Sequence, residues 1–357
     1  MSAQTAARPG EQGASGRTAS HPPRGGGRGS AAADPYALRR RPPLYRRRTR
    51  AAWGFALPFV LLFLTFTAGP VLMSLAMAVT DIRSRDLRNP LAVEFTGLEN
   101  FQAVLGDPLF RKAAANTAYF VLVGVPLTLA LSLAIAVVLN AGITRLKTFF
   151  RVGYYMPVVT SIVAVAVVWR FLLHPEQGML NEVLGWFGIE GPNWLQSTTW
   201  AMPAMIAMAT WRSIGTLIII FLAGLQSVPT SLHEAAALDG AGTWQRFRFI
   251  TVPTLRPTLL FGAVITGIGY VQFFEEPFVM TQGGPLNSTL SVAFATYNQF
   301  GFGNYGYAAA MSYVLFLAVV LLTLVQFRLL GDRDDKPRRR RRRAPAPTAV
   351  ANKEIGR

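Results

Sequence analysis

Long apolar runs without charge alternate along this chain with shorter segments that carry charged side chains. Residues 51–80 and 113–144 contain no charged residue, and each exceeds the roughly 20 apolar residues that a helix needs to cross a bilayer. Further apolar runs cover residues 152–169, residues 200–225, a stretch beginning near residue 258, and residues 307–327. The pattern predicts an all-α integral membrane protein with six transmembrane helices.

The distribution of charge predicts which helix ends face the cytoplasm. Arg145, Lys147 and Arg151 lie between the second and third apolar runs with no acidic residue among them, whereas residues 171–198 hold three glutamates and no Lys or Arg. Segments rich in Lys and Arg remain on the cytoplasmic side of a membrane. A multi-pass arrangement with both termini in the cytoplasm satisfies this rule, and it also places residues 226–257 in the cytoplasm.

The two tails carry almost all of the basic character of the chain. Of the formal net charge of +17, residues 1–50 hold +9 and residues 328–357 hold +7. We therefore expect a disordered basic cytoplasmic tail at 1–50, a transmembrane domain at 51–327 and a polybasic cytoplasmic tail at 328–357. The arginines at 46–50 adjoin the first apolar run, where they would contact membrane lipid rather than nucleic acid.

The segment 226–257 reads as two short helices separated by a turn. Ser231 and Glu234 have the spacing of a capping box, and Gly240 supplies the conformational freedom that a tight turn needs. An apolar face at helical spacing follows, formed by Trp244, Phe247 and Ile250. A DNA-binding helix-turn-helix would have the same local pattern, but a short insert attached at both ends to a bilayer cannot wrap a duplex.

This segment resembles the EAA loop of the permease subunits of binding-protein-dependent ABC importers. The matching residues are Glu234, Ala235, Ala236, Asp239, Gly240, Phe247 and Pro253. The resemblance implies that residues 226–257 form a cytoplasmic coupling loop, which docks into a cleft of a separate ATPase subunit and transmits ATP-driven movement to the membrane helices.

Three further stretches resemble the carbohydrate-uptake type of these importers, such as the maltose and glycerol-3-phosphate systems. They are GLENF at 97–101 with Asn116 and Thr117, TQGGP at 281–285, where Gln282 replaces the commoner glycine, and GYAAA at 306–310. The resemblance implies a permease domain that forms the pathway for a sugar or related polyol in a bacterial cell membrane. It implies four kinds of partner: a second permease subunit in a heterodimer, ABC ATPase subunits, an extracytoplasmic solute-binding protein and membrane lipid.

The chain offers no catalytic or metal-binding constellation. It has no cysteine and only three histidines, and none of its four lysines follows a glycine, so a Walker A phosphate loop cannot be written. We predict that the chain is not an enzyme, that it holds no cofactor, and that a partner subunit binds the ATP.

Polar and aromatic side chains near membrane depth are candidates for the substrate pathway, because rings stack on sugars while amides and charges bind hydroxyls. The candidates are Asn116, Tyr119, Trp211, Arg212, Tyr270, Gln272, Glu275 and Tyr313. Each could instead serve packing or the membrane interface. Arg212 could extend towards the interface beside Trp211, and Gln272 would share one face of helix five with Glu275 or Glu276.

Two other functions remain open at this stage. A stand-alone secondary transporter or channel would show an inverted internal repeat and flux without ATP, and the sequence shows no clear repeat. A membrane-bound regulator or scaffold that uses the basic tails would keep its function after loss of the pathway residues.

Overall fold

The computed structural model describes residues 43–88, 93–141 and 147–331. In these ranges the chain is helical, and the only strand-like pairing is an isolated antiparallel bridge between Thr80 and Phe95. The predicted all-α fold class is confirmed. The segment with Arg145 lies outside the described residues.

The chain divides into two compact units, Met1–Phe63 and Leu64–Arg357. In the first unit, helix α1 spans Pro43–Phe63. Residues 43–50 are therefore helical, which corrects the predicted boundary of an unstructured segment at residue 50. Residues 1–42 lie outside the described part of the chain.

The second unit begins with a π-helical turn and contains the other fourteen α-helices of the described residues. The turn at Leu64–Ala68 leads into α2 (Gly69–Ala78). A short 3-10 helix (Ser84–Arg88), α3 (Glu99–Gly106) and α4 (Pro108–Ala141) follow. Next come α5 (Lys147–Val159), α6 (Ile162–Leu172), α7 (Met179–Trp186) and α8 (Ala201–Gln226).

The segment 226–257, for which the name coupling loop is kept as a label of its predicted role, contains α9 (Thr230–Leu238), α10 (Thr243–Arg246), a π-helical turn (Phe247–Thr251) and the helical turn α11 (Val252–Thr254). The chain continues through α12 (Arg256–Val271), α13 (Glu275–Met280), α14 (Val292–Gly301) and α15 (Tyr305–Leu330). Because α15 ends at Leu330, the predicted start of the C-terminal tail at residue 328 is three residues early, and residues 332–357 lie outside the described residues.

Four helices of the described residues are long and apolar enough to cross a membrane: Ala52–Ala78, Pro108–Asn140, Ala201–Gln226 and Tyr305–Leu330. Two bent pairs raise the count to six when each pair is taken as one span. One pair, Gly153–Val159 with Ile162–Leu172, bends by 113°, and the other, Thr243–Thr254 with Arg256–Val271, bends by 67°. The third predicted helix corresponds to the first pair and is broken. The fifth corresponds to Arg256–Val271 alone, because Thr243–Thr254 belongs to the segment 226–257 that is predicted to lie outside the membrane.

Three clusters of buried apolar side chains hold the second unit together. The first packs Phe120 of α4 against Met205 and Met208 of α8 and against α12. A second joins α2, α4, α14 and α15 around Met311. The third packs Phe221 and neighbouring residues of α8 against α4 and against Leu255, at the base of the coupling loop. The membrane helices thus provide a packed base for the coupling loop.

Candidate functional site

The coupling loop begins with α9, whose N-terminus differs from the predicted one. Pro229 occupies the N-cap position, with no side-chain hydrogen bond at the cap. Ser231 lies inside the helix, so the predicted capping box between Ser231 and Glu234 is wrong. Proline at the cap fixes an extended backbone before the helix, and Glu234 remains an exposed side chain in the middle of α9.

Gly240 ends α9 as the sequence predicts. Its φ of +81° lies in the left-handed region, which glycine enters without the steric penalty of a Cβ atom. The N–H of Ala241 donates to the carbonyl of Ala236 (2.9 Å), and the N–H of Gly240 donates to that of Ala237 (3.1 Å). These two bonds form a Schellman motif, which satisfies the last carbonyls of the helix and turns the chain sharply after Asp239.

The second half of the loop starts at Gly242, whose N–H donates to Oε1 of Gln245 (2.8 Å). The rings of Trp244 and Phe247 lie 5.5 Å apart, as the predicted apolar face requires. Pro253 lies in the first turn of α11, directly after the π-helical turn. The two helices with a turn between them are confirmed.

Large apolar side chains are exposed around this turn. Leu238 is 90% exposed, Trp244 71% and Phe249 74%. The base of the loop is buried, because Leu255 is only 1% exposed in the third apolar cluster. An apolar tip on an anchored base is the form of a docking surface. Sequence reasoning missed Leu238 and Phe249, although an apolar residue after three alanines and another directly after Arg248 were signals that could have identified them.

Asn116, a pathway candidate, holds a loop against α4. Its side-chain amide donates to the carbonyls of Asn287 (2.8 Å) and Leu290 (3.0 Å). The neighbouring Thr117 hydroxyl accepts from the N–H of Val292 (3.1 Å), and Lys112, one turn earlier, donates to the carbonyl of Leu286 (2.6 Å). The Asn–Thr pair of the sequence thus fastens the segment after TQGGP.

Tyr270 lies in a cluster of buried hydroxyls between three membrane helices. The Thr128 hydroxyl lies 2.9 Å from the Tyr270 hydroxyl and 3.0 Å from that of Thr210. The ring packs so closely on α4 that a Cβ atom at Gly124 would lie 2.8 Å from it. Tyr270 therefore joins α12 to α4 and α8.

Arg212 faces a carboxylate that the candidate set did not contain. Glu276 of α13 is 4% exposed, its Oε2 is buried without a hydrogen-bond partner, and it interacts electrostatically with Arg212. The Nε atom of Arg212 is likewise buried and unpartnered.

The predicted shared face of Gln272, Glu275 and Glu276 is wrong. Helix α12 ends at Val271, Gln272 is its exposed C-cap, and the two glutamates begin the separate helix α13. The chain turns between Gln272 and the two glutamates, so their side chains do not lie on one face of a common helix.

The remaining candidates have separate neighbours. The Trp211 ring packs 5.8 Å from that of Trp169, and Tyr119 is exposed on α4. The Tyr313 hydroxyl donates to the carbonyl of Val71 on α2 (2.7 Å). The described residues contain no group of three or more His, Asp or Glu side chains that could hold a metal ion.

Comparison with known proteins gives a consistent result. Residues 127–331, more than half of the chain, match the family described as "Binding-protein-dependent transport system inner membrane component". The lactose transport system permease protein LacF of Rhizobium radiobacter is 35% identical over 79% of this chain and 94% of its own length. The arabinooligosaccharides transport system permease protein AraP of Halalkalibacterium halodurans is 31% identical over 77% of this chain and 85% of its own length.

A solved structure shares the fold. A chain of the bacterial alginate ABC transporter, crystallised with an alginate pentasaccharide-bound periplasmic protein, superposes with a TM-score of 0.69. The likeness covers 81% of this chain and 98% of that one at 22% sequence identity.

Proposed function

Because this chain belongs to the family of binding-protein-dependent transport system inner membrane components, we propose that it forms part of the import pathway for a sugar or oligosaccharide. It is a multi-pass permease subunit of an ABC importer, and it is the membrane component rather than the ATPase. The names of its relatives support the substrate class, since they specify lactose and arabinooligosaccharides.

The anchored apolar tip of the coupling loop is the observation that carries the coupling role. An ATPase subunit would bury Leu238, Trp244 and Phe249, which are exposed here. The Schellman turn at Gly240 sets the angle between the two helices, and Glu234 offers a charge on the exposed surface of α9. A docked loop would transmit movement through Leu255 to α8 and α4.

The proposal includes four kinds of partner and one orientation. A second permease subunit would complete the pathway, ATPase subunits would bind the coupling loop, and an extracytoplasmic solute-binding protein would deliver the sugar. The lipid bilayer would surround the apolar helices. Both termini and the coupling loop would face the cytoplasm, with residues 171–198 outside, as the charges of the sequence favour.

Reconstitution of the whole importer tests this function. Proteoliposomes would contain this chain, the second permease and the ATPase, and they would receive the binding protein with labelled lactose or arabinooligosaccharide. We expect ATP-dependent uptake of one of these sugars. Leu238→Asp should lower ATPase binding and uptake at least tenfold, because a charge buried at a protein interface without a partner is costly.

Phe187→Asp is the matched control, because Phe187 is a similarly exposed apolar residue, at 75%, in the segment proposed to face the opposite side. This variant should retain ATPase binding. Sugar flux by this chain alone, insensitive to ATP and to Leu238→Asp, would contradict the proposal and favour a stand-alone transporter.

A further inference from the structure

A polar cavity of about 410 Å³ lies between the end of α6, the segment that precedes α8, and the loop after α13. This volume lies within the range of about 300–1,000 Å³ that is usual for small-molecule sites. Six side chains supply its hydrogen-bonding groups: Arg170, His174, Asn193, Gln196, Thr281 and Gln282. None of them belongs to the candidate pathway set.

One wall of the cavity is held by hydrogen bonds within residues 173–196. The Nδ1 atom of His174 accepts from the backbone N–H groups of Glu176 (3.3 Å) and Gln177 (3.2 Å). These two bonds orient the imidazole ring. Asn181 accepts from the Trp194 indole (2.6 Å) and donates to the carbonyl of Pro175 (2.9 Å), which fastens the two sides of the segment together.

The facing wall is the loop after α13, and it is fixed in an unusual conformation. Gln282 has a φ of +53°, a region that L-residues occupy only when their surroundings enforce it. The Thr289 hydroxyl donates to the carbonyl of Gly284 (2.7 Å) and lies 2.7 Å from the hydroxyl of Thr281. Together with Asn116 of α4, these bonds hold the cavity wall in place before any ligand arrives.

The lining selects a hydroxyl-rich ligand. Asn193 and Gln196 carry primary amides, which offer both donor and acceptor groups, as sugar hydroxyls require. The Gln282 amide nitrogen donates to the carbonyl of Phe278, and its oxygen remains as an acceptor. Apolar side chains, among them Leu195 and Met280, also line the cavity and can contact the C–H groups of a sugar ring. No carboxylate lines the cavity while Arg170 does, so a neutral or acidic sugar fits and a cationic amino sugar does not.

We propose that this cavity is an outer sugar subsite, separate from the membrane pathway, which holds one sugar unit as substrate leaves the solute-binding protein. The inference rests on the proposed function and on its orientation, in which residues 171–198 face outwards. A preformed, amide-lined site of this size lowers the ordering cost of holding a sugar. A protein side chain docking here would be the competing occupant.

Equilibrium binding to the complete importer tests the subsite. The probe is the labelled sugar that the native proteoliposomes import, added to the complex without binding protein. Asn193→Ala and Gln196→Ala should each weaken sugar binding at least fivefold, and Gln196→Trp should block it by filling the cavity. Thr198→Ala is the control, because this exposed polar residue lies on the same segment but outside the cavity, and it should change binding less than twofold.

The second measurement is docking of the sugar-free binding protein, which the alanine variants should leave unchanged. The subsite is overturned if these variants bind the sugar as the native complex does, if the native complex binds none, or if docking falls as much as sugar binding. Failure of the native proteoliposomes to import any sugar would instead overturn the proposed function, so the two failures are distinguishable.

Discussion

Gly240 is a single backbone position on which the geometry of the coupling loop depends. Nothing lies within 4 Å of where its Cβ atom would be, so a substitution there acts through the φ of +81° alone. Alanine at this position should cost about 1 kcal/mol, which corresponds to about a fivefold change in the population of the turn. We expect Gly240→Ala to reduce ATP-coupled uptake about fivefold while the protein still inserts into the membrane.

Gly240→Asn is the control for this prediction, because asparagine tolerates the left-handed conformation better than alanine. Uptake by the Asn variant should lie between that of the native protein and that of the Ala variant. Equal uptake by all three would show that the Schellman turn does not limit coupling.

Glu276 and Arg212 should stabilise the fold as a pair. A double-mutant cycle with Glu276→Gln and Arg212→Met, measured by thermal unfolding in detergent, should give a coupling of about 1 kcal/mol or more. The reason is that each single change removes the electrostatic partner of the other side chain, and such a partner matters more where the groups are shielded from water. Glu275→Gln, which alters the adjacent and less buried carboxyl group, should show no coupling to Arg212→Met.

The choice between Glu275 and Glu276 could not be made from the sequence. It depends on where α12 ends and α13 begins, and no proline or glycine marks the break between Val271 and Glu275. By contrast, Gly240 could be identified from the sequence as the end of a helix, because a glycine that follows a helix-forming run commonly adopts the left-handed conformation that terminates it. The unusual residue Gln282 was noticeable as well, and its φ of +53° explains why glycine suits that position.

At the scale of elements, α4 acts as a support for the loop after α13. Asn116→Ala removes an exposed hydrogen bond to the carbonyl of Asn287 and a partly buried one to that of Leu290, each worth about 0.5–1.5 kcal/mol. We expect hydrogen exchange of the backbone amides at 286–291 to accelerate at least tenfold. Arg111→Ala is the neighbouring control, since Arg111 bonds the carbonyl of Gly106 instead. Unchanged hydrogen exchange in the Asn116 variant would show that α4 does not support this loop.

The existence of the helices was predictable, but their breaks were not. Both halves of a broken span lie in the membrane, so both are apolar. The 113° bend between Val159 and Ile162 is therefore marked in the sequence only by the two polar residues Thr160 and Ser161. The same limitation hid the pairing of Asn116 with a loop about 170 residues later. Contacts at such separations depend on tertiary packing, which local periodicity does not encode.

For the whole molecule, the orientation in the membrane is testable without background labelling, because the chain has no cysteine. Phe187→Cys and Leu238→Cys introduce thiols at positions that are 75% and 90% exposed. A membrane-impermeant thiol reagent should label the first variant in intact spheroplasts and the second only in inverted vesicles. The reverse pattern would invert the proposed topology.

Charge asymmetry is a property of the entire chain, and it is the reason that orientation could be predicted from sequence while the partners of individual side chains could not. The positive-inside rule needs only the positions of Lys and Arg. Tertiary packing, by contrast, decides which polar groups meet in the hydroxyl cluster, at Arg212 and Glu276, and in the outer cavity. These contacts become visible only in the folded structure.

The hydroxyl cluster of Thr128, Thr210 and Tyr270 constrains how the transporter can move. Separating α4 from α8 or from α12 would break a hydrogen bond between buried hydroxyls, at a cost of about 1 kcal/mol for each bond. Helices α4, α8 and α12 should therefore travel as one rigid body through the transport cycle. Alternation between inward and outward access then has to be accommodated at the joints that lie outside this body, where α5 meets α6 and where α12 gives way to α13.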